Sequence, residues 1–498
     1  MSLILNPGQQ LLYDRIVDQS FSKMLVLGAG GVGKSAVLCA AMSQLARNGM
    51  MNMVLCAPTH LARLNIHSKL DPDVQHLIET VTVASLLLKF GIQRDDGTVQ
   101  FTAGKIDKID KYSVIALDEC SMIAEEDYLL FMQSKAKVIF LGDFSQLPPV
   151  MARSAQGKVN AHEKSGNLEV YTLTQQMRQQ GVIHAAAEKN RVSAWFPEES
   201  VTGEAGESIV VHDTDRNMVE TMINRIISDP RGYDSVYHHR YIAYKNDMVR
   251  SVGKVVRDRV LENFFGFDTR SIPFICSEVV MIRENKKSIG YNGELVTIKN
   301  VKKDPKSHNY PWTSFELTLT GTLGTGMIRT ISPCDQKIMD GYMDKLQSKL
   351  RRHQIAGEVA SASAVLAEIK RIKSHWTCVS YSHSLTTHKS QGSTIENVYL
   401  NTLSFAQAPN RRALLYVGIS RASKSLHTVR VPVRKQLQRK EVNDRYRAAR
   451  SAYEDVAGES YKAVLRYLNV STGSLEGKQM VTEYLWARVE DMKQGEDL

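Results

Sequence analysis

Four short apolar runs recur through the first third of the chain: Met24-Leu25-Val26-Leu27, Val54-Leu55-Cys56-Ala57, Val114-Ile115-Ala116-Leu117 and Val138-Ile139-Phe140-Leu141. Each has strand length, and each leads into glycine, proline or acidic residues without polar alternation. Uninterrupted apolar runs are what strands buried on both faces require. The pattern therefore predicts α/β architecture with a parallel sheet and functional loops at the strand ends. Residues 36–46 read as a helix. Residues 86–107 break the rhythm: Asp95-Asp96-Gly97 is a turn signal flanked by Gly91-Ile92-Gln93 and Val99-Gln100-Phe101-Thr102, which predicts a small β-hairpin insertion.

A second α/β rhythm begins near Ser208. Ser208-Ile209-Val210-Val211 and Tyr241-Ile242-Ala243-Tyr244 are predicted strands, with a helix over 216–227 between them. Residues 273–331 are rich in strand formers punctuated by Gly290, Gly293, Gly321 and Gly324, as in a small barrel. Residues 335–375 turn helical and basic, with Gly357 as a break between two helices; a charged run of this kind usually reads as a solvated face. Strands return after residue 380, and 433–498 reads as a helical tail.

The loop after the first strand carries the strongest chemical signal. Gly28-Ala29-Gly30-Gly31-Val32-Gly33-Lys34-Ser35 fits the phosphate-cradling pattern, with a strand before it and a helix after it. Glycines let backbone amides turn onto phosphate oxygens, and the helix start adds a favourable dipole. Lys34 would reach the terminal phosphates and Ser35 would hold Mg2+. Asp118-Glu119 ends an apolar strand further on. There Asp118 reads as the metal carboxylate and Glu119 as the base that activates water. Gln146, after the next strand, reads as a sensor of the terminal phosphate, or as part of an ordinary proline-stopped loop. Arg178 and Arg421 read as planar cations for charge on a transferring phosphoryl group. Either one alone reads more often as a surface or salt-bridge arginine.

At 498 residues the chain exceeds a single core, so two to four domains are expected. The net charge of +10 suits a polyanionic partner and also a merely basic enzyme. No run of 18 apolar residues occurs, and the start of the chain has no signal-peptide pattern. Six scattered cysteines without a C-x-x-C pair suggest neither zinc nor a disulfide framework. A reducing cytoplasm is the expected setting.

Taken together these segments resemble the superfamily 1 helicases, and within them the RecD-like 5′-to-3′ branch near the Dda helicases of T-even phages. Leu5-Asn6-Pro7-Gly8-Gln9 is similar to the adenine-reading Q motif. Ala57-Pro58-Thr59-His60 resembles motif Ia, Thr82-Val83-Ala84-Ser85-Leu86 motif Ib and Asp118-Glu119-Cys120-Ser121-Met122 motif II. The stretch from Gly142 to Pro149 resembles motif III, and Arg178 matches motif IV. Thr386 to Ser393 resembles motif V, and Tyr416 to Ala422 motif VI. Tyr291-Asn292-Gly293-Glu294-Leu295-Val296 matches a further segment of this branch.

The resemblance implies two RecA-like P-loop domains, 1–85 with 108–180 and 181–272 with 381–432. It also implies a pin insertion over 86–107, an SH3-like domain with a helical arm over 273–380, and an unassigned extension over 433–498. It implies ATP and Mg2+ as cofactors. Gln9, Gly28, Gly30, Gly31, Val32, Gly33, Lys34, Ser35 and Gly392 would hold the nucleotide. Single-stranded and forked duplex DNA would be the partners, met by Thr59, His60, Thr82, Phe101, Asn292, Thr387, His388 and Lys389. His60 and His388 also read as structural hydrogen-bonders, and Phe101 as core of its own hairpin. A monomer is expected, with replication, recombination or repair proteins as possible company. An RNA helicase, or a nucleic-acid-stimulated ATPase without unwinding, is the rival reading.

Overall fold

A computed structural model describes residues 4–89, 91–93, 99–101, 104–149, 152–175, 177, 181–192, 194–304, 309–406, 408, 410–430, 443–454, 478, 481, 482, 485 and 489. The four apolar runs form neighbouring strands of one sheet. Its order is Ile78–Thr82, Met53–Ala57, Val114–Leu117, Lys137–Gly142, Lys23–Gly28, Glu169–Leu173, and every pairing is parallel. One face packs on the helices Pro7–Val17 and Lys34–Arg47, through Leu12, Ile16, Val37, Leu38 and Met42. The other buries Tyr128, Phe131 and Phe140. Burial on both sides is why these strands read as unbroken apolar runs.

The second rhythm forms a second six-stranded sheet: Ser384–Thr386, His239–Ala243, Ile395–Leu400, Ala422–Val429, Ser208–His212, Val201–Thr202. Only the last pairing is antiparallel. Helices cover both of its faces, giving two further cores. These are the two RecA-like layers of the expected α/β fold.

A five-stranded antiparallel sheet runs Gly324–Ile331, Ser314–Gly321, Leu295–Lys303, Val279–Ile282, Val379–Tyr381. A backbone bond of 2.7 Å from Thr377 N–H to Arg329 C=O ties the approach to one edge strand back to the other, so the sheet curls. Between its fourth and fifth strands in sequence stand the helices Gln336–Ile355 and Val359–His375, broken at Gly357 with φ +72°. Trp312, Trp376, Tyr310 and Tyr342 interlock at their base.

The strands Gly91–Gln93 and Val99–Phe101 pair antiparallel, Gly91 opposite Phe101. The Asp95-Asp96-Gly97 turn and Thr102 lie outside the described residues, as does the side chain of Phe101. Residues 430–498 form a separate compact unit. Within it 443–454 is helical, Tyr446, Ala449, Tyr453, Val481, Leu485 and Val489 are buried, and Lys478 bonds Asn443. Among the described residues no helix is long and apolar enough to cross a membrane.

Candidate active site and nucleic-acid face

The glycine-rich loop joins the strand Lys23–Gly28 to the helix Lys34–Arg47. Gly33 caps that helix at φ +85°, a left-handed conformation that glycine adopts without a Cβ penalty. A Cβ there would also lie 2.5 Å from the Gln9 amide. No side chain caps the helix, so its first-turn amides stand ready for an anion. Lys34 Nζ donates to the Gly28 and Ala29 carbonyls at 2.7 and 2.9 Å and lies folded over its own loop. Gln9 braces the loop from below: its amide donates to Val32 C=O at 3.0 Å and its Oε1 accepts from Asn6 N–H.

Asp118 and Glu119 leave the strand Val114–Leu117, two strands from the loop strand. Ser35 donates its hydroxyl to Asp118 Oδ2 at 2.8 Å, and Asp118 Oδ1 accepts from Glu119 N–H at 3.0 Å. Glu119 sits at φ +55°, a conformation that a non-glycine residue holds only under packing constraint. Burial and then the neighbouring Asp118 hold its carboxyl above the usual range, while Arg421 and Lys34 draw it down. A hydroxyl and a carboxylate converging at hydrogen-bond distance, beside a loop of open amides, are the hard oxygen donors magnesium takes. The residues fit Mg2+ and a nucleotide.

Arg421 reaches this site from the second sheet. It is 6% exposed and donates to Val417 C=O at 3.1 Å and Ser393 C=O at 3.2 Å, bonds that fix its guanidinium in place. Gln146 is buried and accepts at 3.3 Å from Gln391 of the motif V segment. Arg178 lies outside the described residues, but Met177 beside it donates its N–H to Gly31 C=O at 3.1 Å. Three participants had no assigned role in the sequence. Tyr416 donates to Asp143 Oδ2 at 2.6 Å and accepts from Gly30 N–H at 3.2 Å, and Arg191 approaches Asp143 Oδ1 at 3.4 Å. Asp143 and Tyr416 stood inside quoted motifs. Arg191 ends the helix Val182–Val192 with no motif around it, and nothing in the sequence marks it.

The residues matched to DNA contacts divide into two groups. Thr59 and Thr82 cap short helices, accepting from Ala62 and Ser85 N–H at 3.2 Å each. Thr82 is buried, and Thr387 is fully buried with its hydroxyl unpartnered. In this conformation the Thr82 hydroxyl is engaged in capping its helix and the Thr387 side chain packs inside. His388, Asn292 and Lys389 retain exposed surface. His60 stacks on Tyr291 at 4.7 Å and 11°, and Arg63 lies over the same ring at 4.8 Å. The loop carrying Tyr291 is seated there by Gly293 at φ +91°, where a Cβ would meet Leu61 at 2.8 Å. Asn65 donates to Gly392 C=O at 3.5 Å. Motif Ia, the Tyr291 loop and motif V thus gather along one seam. All six cysteines are free, and among the described residues no cluster of three metal-ligating side chains occurs.

Residues 4–198 match the family model described as an AAA domain, and 381–429 match the UvrD-like helicase C-terminal domain. The first span holds the phosphate loop and its sheet, and the second holds Arg421. The chain is 21% identical over 509 residues to an uncharacterised protein of Acanthamoeba polyphaga mimivirus, covering 84% of this chain and 99% of that one. It is 24% identical over 188 residues to the RecD subunit of the RecBCD enzyme of Buchnera aphidicola subsp. Schizaphis graminum, covering 34% of this chain and 30% of RecD. Similar solved structures include the Pif1 helicase from Candida albicans, at 15% identity and TM-score 0.45 over 86% of this chain and 96% of that one. Bacteroides Pif1 bound to single-stranded DNA matches at 14% identity and TM-score 0.45, over 88% and 97%. By its matched family models the chain is similar to helicase-type, ATP-binding proteins.

Proposed function

We propose that this protein is an ATP-dependent DNA helicase that moves 5′ to 3′ on single strands and unwinds forked duplexes, in the manner of Dda-like superfamily 1B enzymes. The observation that carries the reading is the meeting of Ser35, Asp118, Glu119 and Lys34 on one sheet with Arg421 from the other. In this reading Lys34 and the loop amides hold the terminal phosphates of ATP, and Ser35 with Asp118 hold Mg2+, which supplies charge neutralisation at the phosphates. Glu119 takes the proton of the attacking water. Arg421 offers its guanidinium to the developing charge only when the two sheets are closed on each other, so hydrolysis is tied to their relative motion.

The strand would run along the seam of motif Ia, Tyr291 and motif V, held through phosphates and therefore without sequence preference. The hairpin Gly91–Gln93 and Val99–Phe101 is the proposed pin, with Phe101 meeting the terminal base pair. The curled five-stranded sheet is the proposed SH3-like domain with its helical arm. The mimivirus and RecD similarities suit a viral or bacterial setting, in replication, recombination or repair.

ATP hydrolysis with single-stranded DNA, RNA and no nucleic acid, followed by unwinding of duplexes with a 5′ or a 3′ tail, tests the reading. Stimulation by DNA above RNA and unwinding of the 5′-tailed duplex alone are expected. Equal or greater stimulation by RNA supports the rival RNA helicase. Hydrolysis without strand separation leaves a stimulated ATPase.

A further inference from the structure

Gln9 stands in the segment that resembles an adenine-reading motif, yet the protein itself engages both ends of its amide. It is the third residue of the helix Pro7–Val17, in a reciprocal cap with Asn6. Its Oε1 accepts from Asn6 N–H at 3.0 Å, and its Nε2 donates to Val32 C=O of the phosphate loop at 3.0 Å. The residue is 3% exposed. Asn6 Oδ1 is engaged in turn, accepting from Gln9 N–H at 2.9 Å. To read adenine, an amide must turn its oxygen to the N6 amino group and its nitrogen to N7 at once. Gln9 would have to abandon both bonds to do so. Asn6 N–H and Val32 C=O would then lose these partners, which is costly for buried groups. The same movement would release the loop that Gln9 braces.

Beside the loop the described residues offer a base something less selective. Asn6 Nδ2 donates to the Met177 thioether at 3.4 Å, a weak acceptor that a ring nitrogen can replace. Met177 is half-exposed, and its Cγ lies 3.8 Å from the position a Gly33 Cβ would take. N7 accepts in adenine and in guanine alike, and a thioether packs on either ring. The two purines differ in the amino group at N6 against the carbonyl at O6. The Asn6 and Gln9 oxygens that could receive that amino group are the ones committed to the cap.

We propose, on the nucleotide-hydrolysing part of the helicase reading alone, that Gln9 is a positioning residue for the phosphate loop and does not read the base. The protein then takes GTP as well as ATP, and recognition falls on the triphosphate that both share.

Displacement of a ribose-labelled ADP by ATP or by GTP, beside steady-state hydrolysis of each, tests this on the full chain. An amide paired to adenine on both atoms discriminates by about fivefold or more. In the wild type ATP and GTP should therefore agree within about fivefold in affinity and in kcat/KM, and a wider preference for ATP overturns the proposal. That comparison needs no variant. In Gln9→Ala the KM values for ATP and GTP should rise by a common factor, because the brace on Val32 serves both. Partial unfolding alone would lower kcat and leave KM, and that result would reduce Gln9 to a helix cap. A rise in KM for ATP alone would make Gln9 a base reader and overturn the proposal. Displacement without hydrolysis of either nucleotide would sink the helicase reading, while the displacement ratio still decides the role of Gln9. A probe that does not bind at all would overturn both.

Discussion

The hydroxyl of Tyr416 stands between Gly30 of the phosphate loop and the carboxylate of Asp143, donating to Asp143 Oδ2 at 2.6 Å while accepting from Gly30 N–H at 3.2 Å. One atom from the second RecA-like sheet thereby touches two motifs of the first. Tyr416 is 1% exposed, and burial, with Asp143 beside it, holds its phenol above the usual range, so it remains a donor.

Tyr416→Phe keeps the ring and removes this link. Hydrogen bonds to charged groups contribute about 1.5–3 kcal/mol, so denaturant unfolding should show a loss of that order. DNA-stimulated hydrolysis should fall as well. Unchanged stability would mean that Ser145 and Arg191 satisfy Asp143 by themselves.

Arg421→Ala should leave nucleotide affinity within a few-fold of wild type and lower turnover by about 10³ or more, since a finger arginine acts as charge develops. Equilibrium binding of a fluorescent nucleotide and steady-state hydrolysis separate the two. Arg421→Lys should recover little, because an ammonium cannot span Val417 C=O and Ser393 C=O as the guanidinium does. Parallel loss of binding and stability would make Arg421 a structural residue.

Arg257 and Glu278 are each 1% exposed and joined by two bonds, of 2.6 and 2.8 Å, that pin the helix Asn246–Phe265 to the curled sheet. Arg257→Ala strands a buried carboxylate and should cost about 3–5 kcal/mol in thermal or urea unfolding. The double change Arg257→Met with Glu278→Leu should restore most of it. A single variant as stable as wild type would show that the pair is not enclosed in solution.

Histidines buried in the second RecA-like sheet should make the protein acid-sensitive. Burial lowers His239 to about 4, and His427 and His383 to about 3. Arg225 donates to His427 Nε2 at 2.7 Å, so His427 Nδ1 carries the proton and gives it to His212 Nε2 at 3.0 Å. These rings are neutral when folded and protonate near pH 6.5 when unfolded. The unfolded chain therefore binds more protons below pH 6.5, and the stability they contribute is lost as pH falls from 6.5 toward 4. Melting temperatures should drop over that window, and His427→Gln should flatten the drop. A flat profile in the wild type would show that the rings are reached by water.

Local chemistry was legible in the chain. The phosphate loop needs glycines beside a strand and before a helix, Asp118-Glu119 needs an apolar strand to end on, and doubly covered strands need unbroken apolar runs. Each constraint lies within about ten residues, so the sequence displays it, and both RecA-like layers followed from it. What crosses between elements was not legible. Nothing near Arg191 points to Asp143, and nothing near Tyr291 points to His60, because those partners meet only when distant segments pack. The same packing turned Thr82 and Thr387 inward, although their motif positions suggested a surface role. It also brought Arg250, Arg283 and Lys389, from three separate segments, to line one cavity with Asp340. Strand and loop identity were set by short-range backbone and hydrophobic constraints. Which charges pair and which hydroxyls reach solvent was set by tertiary burial, which depends on residues hundreds of positions apart.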